Sequence, residues 1–532
     1  MACCRVAFVV VLAGCAGAAT SSHAQTWLGG NGNWEDDLNW DTGSQPNAAG
    51  AVVLIDGGGG PSIVNLSSVR SIGDATIGDD DELVILNGGR LDLFGTITNN
   101  GVVRLRDLGA GTAAIRLSNG NAALNGTGTL LFDSSSSNNE ITSGSSAWSL
   151  TIGEQQTVAT SAGSSGAVRV NTVNNGEVLA DAGTITFGTS RSVTNNATLR
   201  ATNGGVIDFT SNNTINGSGS ITADAGSLLR FNGSIINNAT IAGDGGVELA
   251  NTNTYSNVTL DIADYRIVGG ARVDLTSSLT NNTDIKLDDN GAGVASLRLD
   301  NGNAGILGNG TITFVSSADN LLTTGSSAWT MTIGEGQAVS TASGARGRID
   351  VDTILDGTMV ADDGIIQIEA GHNVTNNAAD FRATNGGSIN FLSDNTLSNN
   401  AAITADAGSS IVFNGTSYAG GSIVGAGTLN INGTTSFSNA TLDIDRINIG
   451  GSDTLRLNSG MTNNGRIEIN DQEAGNALIQ LGNGNATIDG SGEIVFASGG
   501  GNLLTTSSTA WTLTLGTNQT VRVDSGNSGG FD

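Results

Sequence analysis

The chain of 532 residues has little proline, cysteine, histidine or lysine: two prolines, three cysteines, two histidines and a single lysine, Lys286. Each scarcity removes a class. With no Gly-X-Y period and almost no proline, the 79 glycines are not those of a collagen. All three cysteines (Cys3, Cys4 and Cys15) lie at the extreme N-terminus, so the body has no disulfide framework, no cysteine-ligated zinc and no thiol nucleophile. Positive charge is the scarce sign, with 21 Lys and Arg against 49 Asp and Glu, and the net charge is −28. Such a surface repels nucleic-acid phosphates and anionic membranes, and it attracts cations only diffusely. The acidity reads first as a solubility device. Disorder is also excluded as a general description, because 38 % of residues are hydrophobic and only 13 % charged. Past residue 24, no stretch approaches the roughly 18 apolar residues that a membrane helix requires.

What is present begins with an export signal. Residues 1–24 have the form of a signal peptide: Arg5 is the basic start, Val6 to Ala19 the apolar stretch, and Ser22-His23-Ala24 a small-x-small cleavage site. A second reading stands beside it, since Leu12-Ala13-Gly14-Cys15 matches a bacterial lipobox in which Cys15 would be lipidated. Either reading predicts an extracytoplasmic protein: secreted, at the cell surface or associated with an outer membrane.

The body repeats. Asn119-Gly120-Asn121 returns at Asn301 and again at Asn483, so the numbering advances by 182 both times (301 − 119 and 483 − 301). Thr98-Asn99-Asn100 returns at Thr280 and Thr462, and Arg200 to Gly205 returns at Arg382 to Gly387, all by the same step. Trp148, Trp329 and Trp511 keep the pattern, with one step shortened to 181. Inside each unit a shorter beat runs: Phe187, Phe209 and Phe231 are spaced by 22, each closing a short alternating strand. A beat of about 20–22 residues with Asn- and Gly-rich turns predicts an all-β, elongated parallel β-helix (β-solenoid), with eight or nine coils per tandem repeat and a rod of about 115 Å. Stacked asparagines are expected to form hydrogen-bonded ladders.

The copies reveal which side is inside. Val103 becomes Ile285 and then Ile467, and Leu105 becomes Leu287 and then Ile469. The alternate positions drift even in sign: Arg104 becomes Lys286 and then Glu468. The first set is predicted to be core and the second to face water. A ligand site repeated on that outer strand would not survive the change of sign. The organisation expected is residues 1–24 signal peptide, 25–75 N-terminal cap and first coils, 76–257 first unit, 258–439 second unit, and 440–532 a partial third unit. The third unit stops at Asp532, the counterpart of Asp350, and reads as a chain cut short.

Trp27-Leu28-Gly29-Gly30-Asn31-Gly32-Asn33-Trp34, with Trp40 and Pro46 beyond, places three of the six tryptophans between positions 27 and 40. A solenoid needs its first open edge covered, so an aromatic cap is expected; a carbohydrate-stacking surface is the alternative. This opening and the Asn- and Gly-rich body resemble bacterial repeat-rich surface proteins, namely autotransporter-type passengers and proteins with a PEP-CTERM sorting tail. The resemblance implies surface display and adhesion, with surface glycans or host and neighbouring-cell surfaces as partners, and end-to-end or edge association as a further contact. It supplies no catalytic residues. The chain departs from both families at its C-terminal end, where neither a terminal β-barrel nor an apolar sorting segment follows.

Candidate chemistry is sparse. His372 stands alone in the body, and the position one repeat earlier (372 − 182) is Ser190, so no Ser-His-Asp triad is predicted. Asp181, Asp224, Asp362 and Asp406 lie in Ala-Asp turns and are expected to cap backbone amides. Asp79-Asp80-Asp81-Glu82 could gather calcium but lacks the nonapeptide spacing of calcium-binding rolls, and a solvated acidic loop is expected instead. Trp148, Trp329 and Trp511 are expected to pack rather than to bind sugar. No catalytic, cofactor or metal residues are therefore assigned, and no cofactor is expected. Two functions remain: a non-catalytic structural or adhesive rod, and a polysaccharide-binding or polysaccharide-degrading β-helix. The second predicts an unrepeated groove with two or more carboxylates and an arginine.

Overall fold

The computed structural model describes residues 23–56, 60–109, 111–318, 320–377, 380–471 and 475–532. The export-signal reading and the three cysteines fall on residues outside these, apart from His23 and Ala24. Short alternating strands with glycine or asparagine between them can bury one face only by stacking, and the chain does so in register. Among the described residues it forms 63 strands, all paired parallel, apart from one antiparallel bridge between Trp27 and Trp40. Three strands make a coil, as in Val102–Arg106, Ala113–Leu117 and Ala122–Asn125, which define a first, second and third face. Among the described residues the strands stack into about 23 coils, a rod of about 105 Å. The expected β-solenoid is the observed fold.

Inside and outside follow the alternation. Val103, Leu105, Ile285, Leu287, Ile467 and Ile469 have no exposed surface. Asparagine at the corners has two uses. Asn203, Asn212 and Asn238 adopt positive φ (55°, 62° and 54°), a left-handed turn that asparagine tolerates. Buried Asn174 donates through Nδ2 to Asn195 Oδ1 at 2.8 Å one coil on, so the expected ladders are present.

The coil is not uniform. Paired residues are 22 apart at Thr184 and Val206, 28 at Thr129 and Thr157, and 18 at Leu228 and Gly246. The short coils arise where a corner is lost. Thr240–Ala250 and Thr259–Val268 each run straight from the first face onto the second, with a bulge between Gly243 and Gly246. Gly243 makes the bend possible: its φ is 114°, and a Cβ there would lie 2.2 Å from the Ala223 carbonyl oxygen.

The repeat does not hold a whole number of coils. From Val102–Arg106 to Asp284–Asp288 the chain passes through twenty-five strand segments, counting each of the two long strands as two. At three segments per coil, one repeat holds eight coils and one third. Equivalent strands therefore step round the prism. Val102–Arg106 is on the first face, Asp284–Asp288 on the second and Arg466–Ile469 on the third. The long strands obey the same rule: in the second copy, Ser422–Asn432 and Ala440–Ile449 join the second and third faces.

Candidate functional site

The N-terminal tryptophans are core. Trp27, Trp34 and Trp40 are at most 1 % exposed, and their rings meet edge to face with centroids 5.2 and 4.9 Å apart. Each indole N–H is spent on a carbonyl: Trp27 on Gly30, Trp34 on Pro46 and Trp40 on Trp34, at 3.0, 3.1 and 2.9 Å. No ring face is left for a sugar, which overturns the carbohydrate-stacking alternative and fits the cap. Trp148, Trp329 and Trp511 are half-buried against the core. Because copies step from face to face, the three lie at three different corners, after Asn139–Ser143, Asn320–Thr324 and Leu503–Thr506.

The acidic candidates do not gather. Asp79 and Asp80 are not drawn into the core, whereas Asp81 is buried and accepts the backbone N–H of Ser62 at 2.8 Å. Glu82 pairs with Arg104. No group of three or more His, Cys, Asp or Glu suited to a metal ion occurs among the described residues. The Ala-Asp turns differ from expectation in what they bind. Asp181 accepts from the Thr202 hydroxyl at 3.0 Å and the Asn203 amide at 2.6 Å, and Asp362 accepts from Thr384 and Asn385 at the same distances. Asp224 pairs with Arg200 at 2.7 Å. These carboxylates tie one coil to the next: each has its hydrogen-bond or ion-pair partner on a neighbouring coil.

His372 has more around it than an incidental turn residue. Its ring lies between two carboxylates of the preceding coil, with Nε2 3.0 Å from Asp350 Oδ1 and Nδ1 3.2 Å from Asp352 Oδ1. Asp352 also accepts the backbone and side-chain N–H groups of Asn373, both at 2.9 Å. Burial works to raise the Asp352 pKa, but the Asn373 donors and His372 outweigh it and hold the carboxyl below its usual range. The true counterpart of His372 in the first copy is Arg191, not Ser190: both donate a backbone N–H to the equivalent asparagine, Asn395 or Asn213. The register there is 181, because a position has been lost from the corner after Phe314. The coil period was the signal that could have found this cluster, since Asp350 and Asp352 precede His372 by 22 and 20. With both ring nitrogens engaged by carboxylates and no hydroxyl nucleophile hydrogen-bonded to either, the group locks a corner.

A groove in the third copy meets the geometric condition set by the enzyme alternative. The narrow coils of Ser422–Asn432 and Ala440–Ile449 meet broad coils, in which the paired residues Arg466 and Glu493, and then Glu493 and Thr520, are 27 apart. There a step of about 650 Å³ opens, lined by Asp443, Asp445, Arg466 and Glu493. Arg466 is already held by Glu468 at 2.6 Å and Glu493 at 3.2 Å. Arg522 beside Glu493 keeps that carboxyl below its usual range. The equivalents one repeat earlier are Asp261, Ala263, Asp284 and Thr311, so the charged set is not repeated. No described helix is long and apolar enough to cross a membrane. In comparisons with known proteins, no family model and no curated protein matches the chain.

Proposed function

We propose that the chain is an exported, non-catalytic surface rod with a structural or adhesive role. The observation that carries this reading is the relation between copies: the inward residues are kept while the outward ones change charge and move to another face. A catalytic or ligand site multiplied by duplication would keep its outward residues and its orientation. A spacer needs only the core and the length, about 40 Å per unit. The acidic surface keeps such rods apart in solution. The test is to label intact cells of the source organism with an antibody to the rod, before and after protease treatment. Labelling lost on treatment supports display; labelling only after lysis overturns it.

The groove at Asp443, Asp445, Arg466 and Glu493 favours a second reading, a polysaccharide-acting protein. Against it, Glu493 is stabilised as the anion, the opposite of what a general acid needs. Release of reducing ends from acidic or neutral polysaccharides by the purified protein, lost in Asp443→Asn or Asp445→Asn, would establish this reading over the first.

A further inference from the structure

A second groove, in the first copy, is open where its counterpart is filled. About 350 Å³ in volume, it lies at the corner after Ser165–Val168 and is lined by Ala167, Arg169, Thr186, Gly188, Arg191 and Thr210. The same backbone corner recurs in the second copy. There the first five positions are Arg348, Asp350, Gln367, Glu369 and His372, at a step of 181, and the sixth is Leu392, where the step is 182 again. The register is secured by Gly166 and Gly347, each with no room for a Cβ beneath the equivalent rings of Phe132 and Phe314. In the second copy the chain fills the groove with its own charges. Glu369 Oε1 accepts from Arg348 Nε at 2.6 Å and from Gln367 Nε2 at 2.8 Å, and His372 meets Asp350.

In the first copy that carboxylate is missing, because Gly188 stands in place of Glu369. The hydrogen-bonded pair Asp350 and His372 is replaced by two arginines, Arg169 and Arg191, on successive coils. Like charges one coil apart repel unless something neutralises them. Arg169 turns back to Glu140, with Nε 3.1 Å from Oε2. Arg191 has no such partner. Its guanidinium makes no hydrogen bond or ion pair among the described residues, and its Nε is shielded from solvent. A shielded guanidinium N–H with no acceptor is a costly arrangement for the free chain.

We propose that this groove binds an oxyanion carried on a sugar, the carboxylate of a uronate or a sulfate ester, with Arg191 as its principal cation. The ligand's oxyanion takes the space that the Glu369 carboxylate fills in the second copy, where the planar guanidinium can grip two oxygens at once. Arg169 adds a second positive charge, partly spent on Glu140. The hydroxyls of Thr189 and Thr210, 3.3 Å apart, border the opening. The volume is at the small end of ligand pockets and suits one or two sugar rings. The net charge of −28 does not forbid this, because charges beyond about 8 Å are screened at physiological salt. The charges that count are Arg169, Arg191, Glu140 and, on the strand beside Thr186, Asp208. The site stands whether or not the rod is displayed at a cell surface.

The test is calorimetric titration of the purified full chain with oligogalacturonate, a sulfated galactan oligosaccharide, its unsulfated neutral counterpart and inorganic sulfate. At least one anionic oligosaccharide is expected to bind at least about tenfold more tightly than the neutral one. Arg191→Gln is expected to cost about tenfold in affinity, and Gly188→Glu, which rebuilds the missing carboxylate, to abolish binding. Arg382→Gln, at an exposed arginine outside the groove, is expected to change nothing; thermal melts confirm that each variant folds. Equal affinity for charged and neutral sugars, binding of inorganic sulfate but of no oligosaccharide, no binding at all, or full affinity in both groove variants would each overturn the proposal.

Discussion

Gln337 and Asn281 exchange hydrogen bonds across two coils of the core. Gln337 Nε2 donates to the Asn281 carbonyl at 2.7 Å, and Asn281 Nδ2 returns a bond to Gln337 Oε1 at 3.0 Å. Gln519 and Asn463 repeat the pair in the third copy. In the first copy Gln156 turns to the carbonyls of Gly128 and Thr157, and both polar atoms of Asn99 stay buried without a partner. Leucine at the two asparagines should therefore act oppositely. Asn281→Leu strands a buried glutamine and is expected to cost about 1–3 kcal/mol, whereas Asn99→Leu removes an unpaired amide and is expected to be neutral or stabilising. Native-state hydrogen exchange at the flanking amides measures both effects locally, which a long stacked rod requires because it need not unfold as one unit. Equal destabilisation by the two changes would contradict the contrast.

The alternation at Val103, Leu105 and their copies was legible in the sequence because a strand with one wet face must alternate and all three copies agree. The coil count was legible only as eight or nine. The extra third of a turn is hidden because coils range from 18 residues, at Leu228 and Gly246, to 28, at Thr129 and Thr157, so dividing 182 by one period cannot give it. Local turn chemistry cannot show that a bulged strand spans two faces; that depends on the coils above and below it. The His372 cluster was hidden for a related reason. Its carboxylates come from another coil, and a single histidine carries no pattern until the coil period is used to look one turn back.

Acid should loosen the corner at His372. The folded-state pKa of Asp352 is depressed, so its contribution to stability is fully present above the ordinary aspartate value of about 3.9 and is lost as pH falls through the folded value. Asp352→Asn removes that dependence. The variant should be less stable than the parent near neutral pH, with the difference closing as pH drops below about 4. Native-state hydrogen exchange at the flanking amides against pH in the two proteins checks the sign, and a gap that widens in acid would refute it.

Gly425 is the second-copy counterpart of Gly243, with φ at 118° and its would-be Cβ 2.2 Å from the Ala405 carbonyl oxygen. The clash is with backbone, so no side chain can move aside. Gly425→Ala is expected to cost about 1–3 kcal/mol or more and to loosen Ser422–Asn432, the strand that keeps the coil narrow. Gly408, also at positive φ (84°) but with nothing within 4 Å of its Cβ position, should lose only the smaller cost of the left-handed backbone. Native-state hydrogen exchange at the amides beside each glycine in the two alanine variants separates steric contact from φ alone.

The fractional coil count makes a topological prediction. Removing residues 102–283, so that Gly101 joins Asp284, deletes one whole repeat and leaves every strand with an equivalent neighbour. Asp284–Asp288 then stacks on Glu82–Leu86 in place of Val102–Arg106, with Ile285 and Leu287 over Leu83 and Ile85. The inner faces match, so the shortened rod should fold, about 40 Å shorter, with all downstream strands turned one face round. Cysteines at Val84 and Lys286, in chains whose three native cysteines are replaced, test the turn directly. In the deletion they occupy the paired positions of Val84 and Arg104, within disulfide reach; in the full chain they lie on different faces, eight coils or more apart. Cross-linking in the deletion alone is the expected result. A deletion that folds without the cross-link would mean that the copies do not replace one another face for face.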